Sequence, residues 1–174
     1  MKRWLVVLLF VLPVAAGAQD QSSIVSFVNE RTINAPIADL WRVWSTSEGY
    51  KSVGVALADV DLRVGGLIRS RYGADGTLGD AQTIENEILA FEPPRMIAIR
   101  IHKTPANFPF KEAWKQTWTV LTLTPLGDGR THVRAASLGY GTDAESVAMR
   151  RFFERGNDET LDRVAAHVER RVSP

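Results

Sequence analysis

The order of apolar periodicities and turn signals constrains this chain most. A stretch of strand-like alternation comes first and a short tryptophan-bearing helix follows. Turn-punctuated strand segments then run in succession, and one long helix from about Thr142 to Arg171 comes last. Short connections join antiparallel neighbours, so the segments predict a curved antiparallel sheet of about seven strands. A lone long helix must bury its apolar stripe against that sheet. Because such a sheet cannot close completely around one helix, this α+β architecture tends to leave an internal pocket of the kind that binds small molecules.

The individual elements carry their own signals. Residues 22–33 alternate as a strand, with Ile24, Ser26, Val28, Glu30 and Thr32 on one face and Val25, Phe27, Asn29, Arg31 and Ile33 on the other. Ala35-Pro36 opens a helix in which Ile37, Leu40, Trp41 and Trp44 recur at helical spacing. A second short helical turn is expected at Ser47 to Lys51, kept brief by Gly49. Strands follow at about 56–64, 67–72, 81–91, 95–102, 114–125 and 131–139, separated by glycine, proline and aspartate clusters. The connection Lys103 to Glu112 is different. It is long and apolar for a hairpin, carrying Pro105, Phe108, Pro109 and Phe110, and is a candidate lid.

Thr142 and Glu145 have the spacing of a capping box at the start of the last helix. Met149, Phe152, Phe153, Gly156, Thr160, Leu161, Val164 and Val168 trace its apolar face. A glycine inside that face costs about 1 kcal/mol against alanine, so Gly156 points to close approach of either the sheet or a ligand.

The first residues read as a secretory signal peptide. Lys2 and Arg3 precede the apolar run Trp4 to Leu12, and Ala16-Gly17-Ala18 forms a small-residue cleavage site, so cleavage is expected after Ala18. The run is shorter than the roughly 20 residues a spanning helix needs, so no stable membrane insertion is expected after cleavage. The mature chain is then periplasmic or secreted, with one domain at residues 22–172. Cleavage leaves 156 of the 174 residues, enough to bury roughly 70% of the unfolded surface. The absence of cysteine excludes disulfides, thiolate nucleophiles and a lipid-modified cysteine. Losing Lys2 and Arg3 turns the 21 basic and 20 acidic residues into 19 and 20, a net charge of about −1 with interspersed signs. Nucleic-acid binding therefore has no electrostatic support.

No residue cluster has the spacing of a recognised catalytic or metal-binding motif. His102, His132 and His167 lie far apart, so no metal or other cofactor is expected. No Gly-x-Ser-x-Gly elbow occurs. Gly73, Gly76 and Gly79 precede a strand and read as turn residues. Only His102, beside the candidate lid, merits consideration as an acid or base. Asn86 between Ile84 and Ile88, and Tyr72 on a face with Ile68 and Ser70, are polar groups on apolar faces that a ligand would use. Arg69 and Arg71 fall on the opposite, solvated side, and Arg100 and His102 face water if Ile99 and Ile101 face the cavity. Trp114 and Trp118 share a strand face, and Asn157 sits at the border of the buried helix face.

Several segments together resemble the START-like helix-grip (SRPBCC) superfamily, and most closely its branch named for activators of a heat-shock chaperone ATPase. They are Ala35-Pro36 with Trp41 to Trp44, Val60 to Gly66, Ile88 to Arg95, and Phe152-Phe153 with Gly156-Asn157. The resemblance covers nearly all of the mature chain. It implies a cavity between sheet and last helix that takes hydrophobic ligands, and in some branches performs polyketide cyclisation or related chemistry. It carries over no catalytic residue. The chaperone partner implied by the branch name consumes ATP, which the expected compartment does not supply.

The reading that follows is an exported protein holding a small, largely apolar molecule between sheet and helix. Tyr72, Asn86, Phe108, Phe110, Trp118, Phe152 and Asn157 are the candidate ligand-binding residues. The alternatives are a cyclase- or hydratase-like enzyme, supported if Glu85, Glu87 or His102 faces the cavity, and a protein-interaction module with Trp114 and Trp118 on an exposed outer face.

Overall fold

The structure is a computed structural model that describes residues 25–172. The leader expected at 1–18 and the strand residues expected at 22–24 lie outside them. β1 (Val25–Ile33) buries Phe27, Asn29 and Ile33 and turns Val28 and Glu30 outward, the period of two that an extended chain imposes. The Pro36 carbonyl accepts the N–H groups of Asp39 and Leu40 and so starts α1 (Ile37–Ser45), whose Leu40, Val43 and Trp44 are buried. Thr46 caps α2 (Ser47–Tyr50) by accepting the Gly49 N–H at 3.0 Å, and a 3-10 turn over Lys51–Val53 follows.

The remaining strands are β2 (Leu57–Val60), β3 (Leu67–Arg71), β4 (Ile84–Glu92), β5 (Met96–Lys103), β6 (Trp118–Gly127) and β7 (Arg130–Tyr140). With β1 they form one seven-stranded sheet in the order β1-β7-β6-β5-β4-β3-β2, every pair antiparallel. The long helix α3 (Ala144–Val172) lies along the concave face. This is the α+β helix-grip architecture expected from the element order. Leu161, Val164 and Val168 of α3 share a core with Leu40, Val43 and Trp44 of α1 and with Ile68, Ile88, Ile97 and Leu123 of the sheet. A fully buried aliphatic side chain of this kind contributes about 1.5–3 kcal/mol. Near the start of α3, Met149 packs with Phe27 and Tyr140 in a second cluster backed by Trp114 and Phe153. Between the two clusters the Asn29 amide of β1 donates to the Glu154 carbonyl at 2.9 Å and to the Asp158 carboxylate at 2.8 Å.

Several local expectations are corrected. The segment expected at 56–64 pairs only over Leu57–Val60, because the chain turns at Asp61 to Gly66, where the Asp61 carbonyl accepts the Arg63 N–H. The strand expected at 114–125 starts at Trp118. Ala113–Gln116 is a 3-10 turn, so Trp114 leaves the strand face of Trp118 and packs in the second cluster. Asp143, and not Thr142, caps α3: its carboxylate accepts the Ser146 N–H at 3.0 Å and the Ser146 hydroxyl at 2.6 Å. Those bonds, the hydroxyl's first, hold the Asp143 carboxyl below its ordinary range.

Arg71 is buried instead of solvated. The chain after β3 wraps its guanidinium, which donates to Asp80 at 2.9 Å, to Asp75 at 2.8 Å and to the Gly73 carbonyl at 2.7 Å. Gly73 and Gly76 are small because a Cβ at either would fall within 2.6 Å of that guanidinium. Nor does the sheet approach Gly156, where a Cβ would meet no atom within 4 Å.

Candidate functional site

The concave face of the sheet supplies one wall of a cavity of about 470 Å³. Strict alternation along the strands brings Ile68 and Ser70 of β3, Ile84 and Asn86 of β4, and Ile97, Ile99 and Ile101 of β5 to it. Thr119 and Leu121 of β6 and Ala135 and Ser137 of β7 continue the same surface. Phe152, Phe153, Asn157, Thr160 and Leu161 of α3 form the facing wall, and Trp44 and Tyr50 close one end. The loop after β5 covers the other side with Pro105, Phe108 and Pro109.

Two groups of polar side chains interrupt this apolar lining. In the first, Asn86 stands opposite Ile68 on β3 and Ile101 on β5, with Tyr50 and Tyr72 on the same cavity. Burial pushes the Tyr50 phenol up to about 12, the neighbouring Tyr72 adds to this, and a hydrogen bond with the Asn86 side chain opposes it. Tyr50 is therefore neutral across the physiological range. In the second group, the Asn157 amide donates to the Ser137 hydroxyl at 3.4 Å, and Ser137 lies 3.3 Å from the Thr119 hydroxyl. This group ties α3 to β7 and β6 across the cavity. Tyr140 also lines the cavity, and burial raises its phenol as well.

The lid is anchored at three places. Phe108 lies edge-on to Phe110 at 5.4 Å and to Phe152 at 6.2 Å, and Phe110 lies 5.6 Å from Phe152, all between ring centroids. The Lys111 and Glu112 N–H groups donate to the Glu145 carboxylate, so the residue expected to complete a capping box holds the lid instead. At the other end the Ala106 N–H donates to the Ala81 carbonyl at 2.8 Å, joining the lid to the loop wrapped around Arg71.

Of the residues singled out from the sequence, Tyr72, Asn86, Phe108, Trp118, Phe152 and Asn157 border the cavity. Phe110 does not; it sits behind Phe108 in the aromatic cluster and supports the lid. Trp118 pairs with Arg100 and Leu138 and touches the cavity from the first position of β6. Tyr50 was missed because a four-residue helix has too few turns to show a periodic face. Ser137 and Thr119 were missed because small hydroxyl residues are ordinary in strands.

The charged candidates lie elsewhere. Glu85 pairs with Arg69, and Glu87 pairs with Arg100 at 2.8 Å, so that Arg100, which borders the cavity, commits its guanidinium to the opposite sheet face. His102 is exposed and outside the lining. Among the described residues no cluster of three or more acidic or histidine side chains is arranged to hold a metal. No helix among them is long and apolar enough to cross a membrane.

The model of a family described as polyketide cyclase / dehydrase and lipid transport matches residues 25–169. The chain belongs to this family. Among solved structures with the fold of this polyketide cyclase/dehydrase family member is protein MLL2253 from Mesorhizobium loti, with a TM-score of 0.64, 21% identity and coverage of 83% of this chain and 97% of that one. The Zhui aromatase/cyclase from Streptomyces sp. R1128 superposes with a TM-score of 0.62 at 18% identity, over 86% of this chain and 96% of its own. The Aha1 dimer from Colwellia psychrerythraea gives 0.56 at 16% identity, over 76% and 90%. At these identities the likeness is one of fold. No curated protein matches the sequence.

Proposed function

We propose that this family member is exported to the periplasm or beyond and there holds one small, largely apolar molecule between its sheet and α3. The observation that carries the reading is the 470 Å³ cavity itself, walled by isoleucines and aromatic rings, with neutral hydroxyl and amide groups at two places. Apolar burial supplies the affinity, at about 25 cal/mol for each Å² removed from water. The polar groups orient the ligand and the 104–112 loop gates entry.

The cyclase or hydratase alternative calls for acid and base groups poised near neutral pH. Among the described residues, the cavity lining contains no aspartate, glutamate, histidine or lysine. The interaction-module alternative loses its anchor, since Trp114 is half-buried against the second cluster and the outer face around Arg69, Glu85, Glu87 and Arg100 is covered by ion pairs.

Titration with a neutral solvatochromic dye such as Nile red tests the proposal. Saturable 1:1 binding with a blue-shifted emission is expected, weakened at least tenfold by Gly156→Trp, which puts a large ring between Phe152 and Thr160 on α3. Failure of the wild-type protein to bind would overturn the reading.

A further inference from the structure

We propose that the surface where the lid meets α3 docks on anionic phospholipid membranes, with Phe152 and Pro109 seated among the headgroups and Lys111, Arg151 and Arg155 facing the phosphates. Docking of this kind uses the rim of the cavity and stands whether the cavity is filled or empty.

The apolar half of the surface lies where the cavity lining reaches the outside. Phe108, Pro109 and Phe152 border the cavity, yet Pro109 is exposed and 45% of Phe152 remains in water. Phe152 is held by three other rings, Phe108 at 6.2 Å, Phe110 at 5.6 Å and Phe153 at 5.3 Å between centroids. A ring already fixed in this way loses little freedom when its open edge is buried further.

The charged half surrounds that ring. Arg151 precedes Phe152 and Arg155 follows it by three residues on α3, while Lys111 follows Phe110 in the lid. All three are exposed, and among the described residues none of their side chains has an acceptor. The carboxylates close by are engaged otherwise: Glu145 accepts the lid N–H groups, Glu112 pairs with Lys115, and Glu159 pairs with Arg163. Glu154 stands two residues from Phe152, a spacing that turns it to another side of the helix. Exposed ring and unpaired cations thus share one surface.

An anionic leaflet is the complement of this combination. Its negative charges are spread over a plane instead of standing at fixed places, which suits cations that have no fixed partner, and the layer beneath them is apolar. On the ligand-holding reading above, docking also sets the opening of the cavity against the acyl chains, so an apolar molecule passes between leaflet and cavity without crossing water.

Co-flotation of the exported protein with vesicles tests the proposal. The protein should float with phosphatidylcholine vesicles carrying about 30 mol% phosphatidylglycerol and stay behind with phosphatidylcholine alone. Raising the salt to about 0.5 M, where the Debye length falls to about 4 Å, should release it. Arg151→Glu with Arg155→Glu should weaken binding at least tenfold, since each cation near such a surface is worth about fivefold. Phe152→Ser should weaken it about tenfold and leave the salt dependence unchanged. Arg95→Glu with Arg130→Glu carries the same net charge but alters the start of β5 and of β7, the strand ends away from the lid, and should bind like the wild type. Equal flotation on phosphatidylcholine alone, or equal weakening by the two charge-reversed proteins, would overturn the proposal. Absence of flotation would do the same and leave the cations to an acidic protein partner; in each case the ligand-holding reading, which dye binding tests, stands.

Discussion

The Phe108 ring in the lid lies edge-on to Phe152 of α3, 6.2 Å between centroids, while 45% of Phe152 remains exposed. The lid is therefore closed by ring contacts at the protein surface, where they can open without disturbing the core. Aromatic pairs of this geometry are worth about 0.5–1.5 kcal/mol each. Replacing Phe108 and Phe110 together by alanine should speed ligand release about tenfold, measured by stopped-flow displacement of a bound dye, with little change in the thermal midpoint. An unchanged release rate would remove the lid from the account.

Glu145 supplies the second fastening. It accepts two lid N–H groups from the first turn of α3. In Glu145→Ala those amides lose their acceptor, so hydrogen exchange at Lys111 and Glu112 should accelerate while the strand amides keep their protection.

Gly156 sits in the helix between Phe152 and Thr160, and a Cβ there meets no atom within 4 Å. Gly156→Ala should therefore stabilise the protein by up to about 1 kcal/mol through helix propensity alone. For a chain of this size that is roughly 2–4 °C in Tm, readable by circular dichroism. A fall in Tm would mean that the position is tighter than the structure indicates.

Asp75 and Asp80 give the fold an acid-sensitive element. The Arg71 hydrogen bond depresses Asp75 below the ordinary 3.8. For Asp80, burial alone would raise the carboxyl, but the Gln82 N–H, Arg71 and Thr83 outweigh it and the result is also a depression. A carboxyl depressed in the folded state contributes stability that is present above its unfolded value and lost as the pH falls through its folded one. Asp80→Asn should thus lower Tm at pH 7, and the gap to the wild type should close below pH 3.8.

Ligand affinity should behave in the opposite manner. Among the described residues the cavity lining carries no carboxylate or imidazole, and burial pushes Tyr50 up to about 12. Binding of a neutral ligand should be flat between about pH 5 and pH 9. A midpoint within that window would bring an ionisable group into the site.

Element types were legible in the sequence because each follows from local spacing. The period of two in Ile97, Ile99 and Ile101 places them on one sheet face, and the helical spacing of Leu161, Val164 and Val168 places them on one stripe. The same reasoning brought Asn86 and Tyr72 to the cavity. It failed where a side chain answers to partners distant in sequence. Glu145 bonds a loop more than thirty residues earlier instead of its own helix end, and Arg71 is buried only because the following loop folds back over it. Trp114 keeps strand spacing from Trp118 but lies in a 3-10 turn, whose start no proline or glycine marks.

Native mass spectrometry of the exported protein, purified without detergent and followed by denaturing extraction, tests the central claim most directly. The account requires a stoichiometric adduct that is released on denaturation and proves to be a small, neutral, largely apolar compound. A bare chain, or an extracted compound that is ionised at neutral pH, would contradict it.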